Sequence, residues 1–530
     1  MERRTECLPR GAAWLAMAAA LSAALAACGG GGGGGPAPAS PALPATPPVT
    51  APPDGSLADT VVYSGAAASS LPTAQERAAT VRASLTLNGS RIDYTATTGH
   101  LTATDARTGQ PIASFFYVAY TADNQPAANR PVTFLFNGGP GSSTLWLHLG
   151  SFGPRRIVAG QPAPSVPQPV QLVDNQESLL DTTDLVFVDA IGTGYSQAIA
   201  PASNQDFWSV DADAASLRDF VQRYVAANGR QASPKFLFGE SYGGPRAAVM
   251  ANLLESAGVK LNGVVVLSPV LDYNANCGVF DPNTVSCEGY VPTYAAIGAY
   301  HRVANPLPTD FSSYIQQARD FAAGAYRNAM APWLANRTQP VTGVTSQLTS
   351  FTGIPMLTWQ QDLDMQPGSF QSRVVAGQLT GRYDARVTAP QGSAPASGGD
   401  PSLAAVSDAF VSTTRSYIAN TLRYTAGSLY LTSNDIINRW NFSHDGKNVP
   451  DTIPDLASAM TLNPALKVLS LSGYYDLATP FHQTERDLAR LGASPNISVR
   501  NYHSGHMAYL DDAARRALKA DLAAFYQSAR

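Results

Sequence analysis

A Gly-x-Ser-x-Gly pentapeptide, Gly239–Gly243, places Ser241 between an apolar run and a helix-forming run. The apolar run has the length and residue types of a buried strand, and the alanine- and leucine-rich run after it favours a helix. A sharp strand-to-helix turn strains its central residue, so neighbours without a Cβ are needed to avoid collision. Such a turn exposes the Ser241 hydroxyl as a nucleophile and directs the backbone N–H of Tyr242 towards a developing oxyanion. An ordinary glycine-rich turn is the alternative interpretation.

A serine hydroxyl is a weak nucleophile at neutral pH, so a histidine must accept its proton and a carboxylate must orient the histidine. Two late strand-like runs end near such residues: Asp476 follows the first and His506 follows the second. We therefore expect Ser241 as nucleophile, His506 as base and Asp476 as orienting acid. The order Ser, Asp, His along the chain is the one that an α/β-hydrolase requires.

Other histidines and aspartates compete for these roles. His503 is a rival base because it lies nearer the strand. Its side chain, three residues before His506, would point in a different direction. Asp487 and Asp511 are weaker rivals to Asp476, since each sits in or beside a predicted helix. Asp189 also ends a strand-like run, but it precedes the nucleophile, so we interpret it as structural.

A glycine-rich loop, Asn137–Ser143, directly follows the strand-like run Pro131–Phe136. Such a loop can cradle a phosphate, but no lysine follows at the position that a phosphate-binding loop requires. A loop of backbone donors for an oxyanion fits better. A plain tight turn is the alternative.

The elements that must position these residues alternate between strand and helix, which is typical of a parallel α/β sheet. We predict an α/β-hydrolase fold with a mostly parallel central sheet, formed by residues 57–270 and 461–530. Residues 271–460 are expected to be an inserted, largely helical lid domain, with helices over 310–331 and 406–424. Two runs of period-2 character, 91–103 and 112–120, predict an antiparallel pair at a sheet edge.

Residues 1–28 have a basic start and an apolar middle, as secretory signals do. The segment closes on Leu25-Ala26-Ala27-Cys28, which resembles the lipobox of bacterial lipoproteins, so Cys28 is the expected lipidation site. Residues 29–56 are rich in Gly and Pro and predict a linker. We expect an exported protein anchored in a bacterial membrane on its periplasmic side. Cleavage by a conventional signal peptidase, giving a secreted or free periplasmic protein, is the alternative.

The composition excludes other classes of function. Charged residues make up 14% of the chain and the net charge is -4, so the chain has no electrostatic footprint for nucleic acid. No Cys and His cluster has metal-ligand spacing, and we expect no metal or other cofactor. Cys277 and Cys287 lie close together, and export would favour their pairing in a disulfide, with two free thiols as the alternative.

Four motifs in this order together resemble the serine carboxypeptidase family. They are Asn137–Ser143, Asp189–Ser196, Gly239–Gly244 and Gly505–Met507. The resemblance implies hydrolysis of the last peptide bond of a peptide with a free C-terminus. It also implies that the backbone N–H groups of Gly139 and Tyr242 bind the oxyanion, and that Asn137, the Gly138 backbone and Glu240 hold the terminal carboxylate of the substrate.

Glu240 has a physical reason for that role beside the resemblance. A carboxyl group next to the nucleophile in a closed cleft should have a raised pKa, and when protonated it can donate a hydrogen bond to a carboxylate. A surface glutamate favoured by the helix dipole is the alternative.

Two positions depart from the family. Ser151 occupies the place of a second recognition glutamate, and Ser142 the place of a cysteine. Losing half of a carboxyl pair should weaken recognition of a free C-terminus. A serine esterase or acyltransferase with the same triad is therefore a second hypothesis, and a tethered binding protein with a disused site is a third.

Overall fold

The computed structural model describes residues 55–73, 75–105, 108–160, 165–278 and 285–530. The predicted signal segment, Cys28 and nearly all of the predicted linker lie outside the described residues. None of the helices in the described part of the chain is long and apolar enough to span a bilayer.

The described strands are numbered in chain order. They are β1 (Leu57–Ala58), β2 (Ala78–Leu87), β3 (Ser90–Thr104), β4 (Pro111–Ala122), β5 (Val132–Phe136), β6 (Arg155–Ile157), β7 (Leu172–Asp174), β8 (Asp184–Val188), β9 (Gln197–Ala198), β10 (Lys235–Glu240), β11 (Gly263–Leu267), β12 (Gln378–Thr380), β13 (Thr388–Pro390), β14 (Tyr424–Thr425), β15 (Lys467–Gly473) and β16 (Ile497–Tyr502).

The described α-helices are numbered in the same way. They are α1 (Leu145–Gly150), α2 (Val210–Ala227), α3 (Gly243–Ser256), α4 (Val291–Tyr300), α5 (Phe311–Phe321), α6 (Arg327–Asn336), α7 (Thr342–Thr352), α8 (Met356–Gln361), α9 (Pro367–Gln371), α10 (Ala394–Ser397), α11 (Pro401–Ala404), α12 (Ser407–Ser416), α13 (Ile453–Leu462), α14 (Phe481–Ala489) and α15 (Asp512–Ser528).

The central sheet has the order β16-β15-β11-β10-β5-β8-β4-β3-β2, with β9 paired to β4. Strands β16 to β8 in this order are parallel, whereas β4, β3 and β2 continue the sheet antiparallel. The predicted antiparallel pair is therefore present as β3 and β4. The edge itself is β2, which the sequence analysis did not predict, because polar residues interrupt its pattern.

Alternate residues of the parallel strands pack on opposite faces, as the twofold period of a strand requires. On β10, Phe236 and Phe238 belong to the apolar cluster that includes α15, and Leu237 belongs to the cluster that includes α2 and α3. The ring of Phe236 lies 4.4 Å from that of Tyr526 on α15. With helices on both faces, β5, β8, β10 and β11 are fully buried, which explains their continuous apolar runs.

The carboxyl ends of the parallel strands meet at one edge of the sheet, and the candidate residues follow these ends. Asn137 follows β5, Ser241 follows β10, Asp476 follows β15 and His506 comes after β16. This is the edge at which ligands bind in open α/β sheets. The chain has the predicted α/β-hydrolase architecture.

Between β11 and β15 the described chain is mostly helical and adds no strand to the central sheet. The helix predicted over 310–331 is instead α5, a π-helical turn at Ala322–Tyr326, and α6. The helix predicted over 406–424 is α12 followed by a second π-helical turn, Tyr417–Thr421. The boundaries of a separate lid domain stay a prediction.

The predicted pairing of Cys277 with Cys287 is present as a disulfide, with the two Cα atoms 5.2 Å apart. Both cysteines are buried in the apolar cluster of the helical segment. The alternative of two free thiols is therefore wrong.

Candidate active site

The predicted strand-turn-helix is present at the end of β10. Ser241 has a φ of +60°, which is the strained left-handed conformation. A Cβ on Gly239 would lie 1.8 Å from the Gly243 carbonyl oxygen, and a Cβ on Gly243 would lie 2.6 Å from that of Phe136. Both glycines are therefore required by close backbone approach. The backbone N–H of Ser241 donates to the Leu267 carbonyl at 2.9 Å, which fixes the turn to β11.

His506 and Asp476 form a buried pair. His506 Nδ1 donates to Asp476 Oδ2 at 2.7 Å, and both side chains are almost completely inaccessible. Burial alone would lower the pKa of His506, but the charge and hydrogen bond of Asp476 outweigh it, so this pKa is raised. The pair has the geometry of a general base held in one tautomer by a carboxylate.

Thr479 and the backbone of Ala478 donate further hydrogen bonds to Asp476. Its hydroxyl donates to Asp476 Oδ2 at 2.7 Å, while Asp476 Oδ1 accepts the backbone N–H groups of Ala478 at 2.8 Å and Thr479 at 3.0 Å. These donors bind both oxygens of a carboxylate that is 0% exposed. An Asp-x-x-Thr spacing could have predicted this contact, because such side chains bond to nearby backbone groups.

Tyr383 contacts the other side of His506. Its carbonyl oxygen accepts the backbone N–H of His506 at 2.6 Å, and its ring stacks on the imidazole with centroids 4.6 Å apart. Tyr383 belongs to the helical segment inserted between β11 and β15, and nothing in the sequence pattern predicts the contact.

The glycine-rich loop after β5 packs directly against the serine turn. A Cβ on Gly138 would lie 2.4 Å from the backbone nitrogen of Tyr242, so a larger residue could not take this place. Gly139 has a φ of +107°, in the region that favours glycine. Among the described residues, neither the Gly139 nor the Tyr242 backbone N–H donates to a protein acceptor. Both amides are available to an oxyanion.

Asp189 holds this loop in place, in agreement with the structural role predicted for it. Its Oδ1 accepts the backbone N–H of Thr144, at the end of the loop, at 2.7 Å. Gly194 packs directly against the Asp189 carboxylate, since a Cβ on Gly194 would lie 1.8 Å from Asp189 Oδ2. Burial raises the pKa of Asp189 to about 6.

Glu240 is the second buried carboxyl group at this edge. The Tyr509 hydroxyl donates to Glu240 Oε2 at 2.8 Å, and the Asn137 side chain is a further hydrogen-bond partner. Burial raises the pKa of Glu240 to about 7, against the opposing effects of His506, Tyr509 and Asn137. The protonated form is therefore populated at a higher pH than for an ordinary glutamate. The alternative of an exposed surface glutamate is therefore wrong.

Asn137 is held by its neighbours as well. Its Oδ1 accepts the backbone N–H of Leu147 at 3.0 Å, which leaves the amide NH₂ group to face Glu240. Its carbonyl oxygen accepts a hydrogen bond from Arg246, which forms a buried ion pair with Asp213. The side chain is therefore fixed in orientation before any ligand arrives.

The rival residues lie elsewhere. His503 is exposed and its Nδ1 is 3.1 Å from the Tyr475 hydroxyl, and burial of part of its ring lowers its pKa. Asp487 lies on α14 and accepts a hydrogen bond from Gln483. Asp511 caps α15 and accepts a hydrogen bond from Arg386. None of the three is hydrogen-bonded to His506.

Ser151 and Ser142, the two residues that differ from the serine carboxypeptidase pattern, both bond to nearby backbone. Ser151 is buried, and its hydroxyl donates to the Leu147 carbonyl at 2.5 Å. The Ser142 hydroxyl donates to the carbonyl of Ser143 at 3.0 Å. Ser142 is bonded to the backbone of its own loop and Ser151 to the backbone of α1. The Ser151 hydroxyl therefore does not replace a carboxyl group at the site.

Within the described residues, no group of three or more His, Cys, Asp or Glu side chains has the arrangement of a metal site.

Comparison with known proteins agrees with the motifs. Residues 88–289 match the family model for serine carboxypeptidases. A carboxypeptidase S1 from Penicillium janthinellum is 27% identical over 233 residues, which is 44% of this chain and 49% of that protein. Over these residues the chain is similar to the serine carboxypeptidases.

Another relative of this kind is the serine carboxypeptidase-like 36 protein of Arabidopsis thaliana, 23% identical over 170 residues, which is 31% of this chain and 33% of that protein. The chain thus spans between a third and a half of the length of the curated relatives it matches. The residues that match the family model, 88–289, include the glycine-rich loop and the serine turn.

Solved structures resemble the chain more distantly. A proline iminopeptidase from Mycobacterium smegmatis has 14% identity and a TM-score of 0.36, covering 81% of this chain and 98% of that one. A carboxyl esterase from Bacillus coagulans has 11% identity and a TM-score of 0.34, with the same coverage. The α/β-hydrolase fold follows from the strand order and the serine turn.

Proposed function

We propose that this chain is a serine carboxypeptidase that removes C-terminal residues through an acyl-enzyme. The observation that carries the proposal is Glu240: a buried carboxyl group with a pKa of about 7, directly before Ser241 in the chain. A protonated carboxyl there can donate a hydrogen bond to the terminal carboxylate of a peptide, which an ionised one would repel. The relationship to serine carboxypeptidases supports the same activity.

The acyl-transfer chemistry uses Ser241, His506 and Asp476. Ser241 Oγ attacks the carbonyl carbon of the last peptide bond while His506 accepts the hydroxyl proton. The negative charge that forms on the carbonyl oxygen is stabilised by the backbone N–H groups of Gly139 and Tyr242. His506 then returns the proton to the leaving amine as the C–N bond breaks, and Asp476 stabilises the imidazolium throughout.

A water molecule completes the reaction. His506 accepts a proton from the water as it attacks the acyl carbon, and then gives it to Ser241 Oγ when the ester breaks. The shortened peptide leaves with a new carboxylate. In the first step, before the C–N bond breaks, the terminal residue is positioned by Asn137, the Gly138 backbone and Glu240.

The test is release of C-terminal residues from a peptide library, followed by mass spectrometry, with Ser241→Ala as the matched control. We expect sequential loss of single C-terminal residues by the native protein and none by Ser241→Ala. Internal cleavage, or equal turnover of amidated peptides, would contradict the carboxypeptidase assignment. Failure of a fluorophosphonate probe to label Ser241 would favour the hypothesis of a binding protein with a disused site.

A serine esterase or acyltransferase is the second candidate, and Ser151 is the observation that favours it. With its hydroxyl bonded to the Leu147 carbonyl, Ser151 supplies no second carboxyl group for a peptide terminus. Turnover of p-nitrophenyl esters without turnover of any free peptide would select this alternative.

We also propose that the protein is exported and anchored in a bacterial membrane through lipid on Cys28, on the periplasmic side. The support is the basic and apolar N-terminal segment and the motif that ends at Cys28. We expect metabolic labelling with a fatty acid in a bacterial host to modify the native protein but not Cys28→Ser. Labelling of Cys28→Ser, or recovery of the unlabelled native protein in the soluble fraction, would contradict the anchor.

A further inference from the structure

Two arginines on one short segment have opposite surroundings. Arg386 is buried and forms ion pairs with Asp384 at 2.7 Å and Asp511 at 3.0 Å. Arg382, four residues earlier, is exposed, and within the described residues no carboxylate lies within ion-pair distance of its guanidinium. Arg386 therefore has a structural role, whereas Arg382 forms no ion pair within the part of the chain that the structure describes.

The backbone of Arg382 is fixed to the loop that carries the candidate acid. Its carbonyl oxygen accepts the backbone N–H of Leu477, next to Asp476, at 3.0 Å. The following residue, Tyr383, stacks on His506 and accepts its backbone N–H. The side chain of Arg382 thus starts from a rigid position beside the His506–Asp476 pair.

The Asp400 carboxylate accepts several donors, including the backbone N–H of Arg382. Its Oδ1 accepts the backbone N–H groups of Arg382 at 3.0 Å and Ser402 at 2.9 Å, and its Oδ2 accepts that of Tyr383 at 3.1 Å. This carboxylate caps α11 and anchors the segment. It holds the backbone of Arg382, and among the described residues it forms no ion pair with the guanidinium.

The charge of Arg382 reaches the candidate site. It opposes the rise in the pKa of His506. Burial and the Asp400 carboxylate raise the pKa of Tyr383, with smaller contributions from Glu240 and Asp476, and Arg382 opposes them. A cation beside the site that forms no ion pair among the described residues attracts an anion.

We propose that Arg382 is a specificity-determining residue that binds a carboxylate of the substrate. The proposal rests on the hydrolase function proposed above and adds to it a class of substrate. A guanidinium presents paired N–H donors that match a carboxylate, and the match is strongest where the protein holds the arginine in place. The carboxylate is either the C-terminal α-carboxylate or the acidic side chain of a residue beside the scissile bond.

The first experiment compares Arg382→Gln with the native protein on matched substrates. One pair is a blocked dipeptide with C-terminal Glu or Gln, and each is used as free acid and as amide. A second pair is p-nitrophenyl hydrogen glutarate and p-nitrophenyl pentanoate, which needs no peptidase activity. The control is Arg77→Gln, which removes an equally exposed charge just before β2, at the opposite edge of the sheet.

We expect Arg382→Gln to lower the ratio of kcat/KM for charged over neutral substrate by about tenfold, mainly through KM. Arg382→Lys should restore part of the ratio, and Arg77→Gln should leave it unchanged. If Arg382→Gln lowers the ratio for free acid over amide, Arg382 binds the α-carboxylate. If it lowers the ratio for C-terminal Glu over C-terminal Gln, Arg382 binds the acidic side chain. An unchanged ratio in all pairs would overturn the proposal.

A binding measurement decides the case without turnover. Glutarate is titrated calorimetrically into Ser241→Ala, alone and combined with Arg382→Gln or Arg77→Gln. We expect Arg382→Gln to weaken binding about tenfold and Arg77→Gln to have no effect. Equal affinities in all three proteins would overturn the role of Arg382. If peptides are not cleaved but the ester ratio or the glutarate affinity responds to Arg382, only the carboxypeptidase function fails.

Discussion

The candidate site contains two buried carboxyl groups with opposite environments. Asp476 accepts four hydrogen bonds, from two backbone N–H groups, the Thr479 hydroxyl and His506. Glu240 has the Tyr509 hydroxyl and the Asn137 side chain as partners and no ion-pair partner among the described residues. Burial is nearly complete for both, at 0% and 2% exposed.

The difference in hydrogen-bond donors suits the two carboxyl groups at this edge of the sheet to different roles, Asp476 as an orienting acid and Glu240 as a recognition group. Several donors and a histidine stabilise a negative charge, which is what an orienting acid needs. Burial with fewer donors favours the neutral form, and so the pKa of Glu240 rises to about 7. We interpret the region after β15 and β16 as the proton-transfer side and the region after β5 and β10 as the carboxylate-recognition side.

The largest effect should come from Asp476→Asn. Loss of the charge that stabilises the imidazolium and fixes its tautomer should lower kcat by about 10⁴-fold, for peptides and esters alike. Steady-state kinetics on both substrate classes measure it.

The matched control for this change is Asp487→Asn. Asp487 is also buried, with a pKa raised by burial to about 7, so a neutral amide replaces a group that is already partly neutral. We expect kcat within about twofold of the native value. Equal losses in both variants would contradict the assignment of Asp476.

A second prediction concerns the recognition side. Glu240→Ala should lower the ratio of kcat/KM for free peptides over amidated peptides by about 10- to 100-fold, the effect of one hydrogen bond to a charged group. Glu240→Gln, whose amide NH₂ still donates, should keep most of the ratio at neutral pH. If Glu240→Ala reduced acid and amide substrates equally, Glu240 would belong to the proton-transfer side instead.

A smaller effect is expected from Tyr509→Phe. The hydrogen bond from Tyr509 lowers the pKa of Glu240, so its removal should raise that pKa further. The pH at which the acid-to-amide ratio falls should therefore move upward. A pH profile of the ratio measures the shift, and a downward movement would contradict the hydrogen-bond role of Tyr509.

His444 offers a histidine-carboxylate contact outside the site. Its hydrogen bond to Asp455, with a further one to Asp211, raises its pKa to about 9. A histidine pKa that is higher in the folded state stabilises the fold below its unfolded value of about 6.5, and this stabilisation is lost as the pH rises to about 9.

We expect His444→Asn to lower the free energy of unfolding by about 1–2 kcal/mol at pH 6, a value reduced for the solvent exposure of Asp211, and by less above pH 9. Denaturant titrations at the two pH values measure this difference. Activity should be unchanged, because His444 contacts none of the candidate residues. A pH-independent loss would contradict the charge-based explanation.

The serine turn and the order of the acid and histidine could be predicted because their signals are local. The glycines on either side of Ser241 indicate a steric requirement of the turn. Asp476 and His506 each follow a strand that the apolar pattern predicts. Tyr509 lies three residues after His506, so that spacing could have drawn attention to it. The positions of Asp476 and His506 at one edge of the sheet could be inferred from the strands that precede them.

Other parts of the site depend on contacts between distant segments. Tyr383 and Arg382 lie in the helical segment, where no periodic pattern shows that the chain returns to His506. The edge strand β2 is defined by pairing with β3 rather than by its own pattern, since polar and apolar residues mix along it. In each case the partner, and not the local sequence, determines the structure.

We propose that Glu240, when protonated, recognises the terminal carboxylate of a peptide. The decisive measurement is the ratio of kcat/KM for one peptide as free acid and as amide, from pH 5 to 9. Because the pKa of Glu240 is about 7, we predict that the ratio is highest below pH 7 and falls as the pH rises through that value. In Glu240→Gln the ratio should not vary with pH. A ratio near one at every pH, or the same pH dependence in Glu240→Gln, would contradict this role of Glu240.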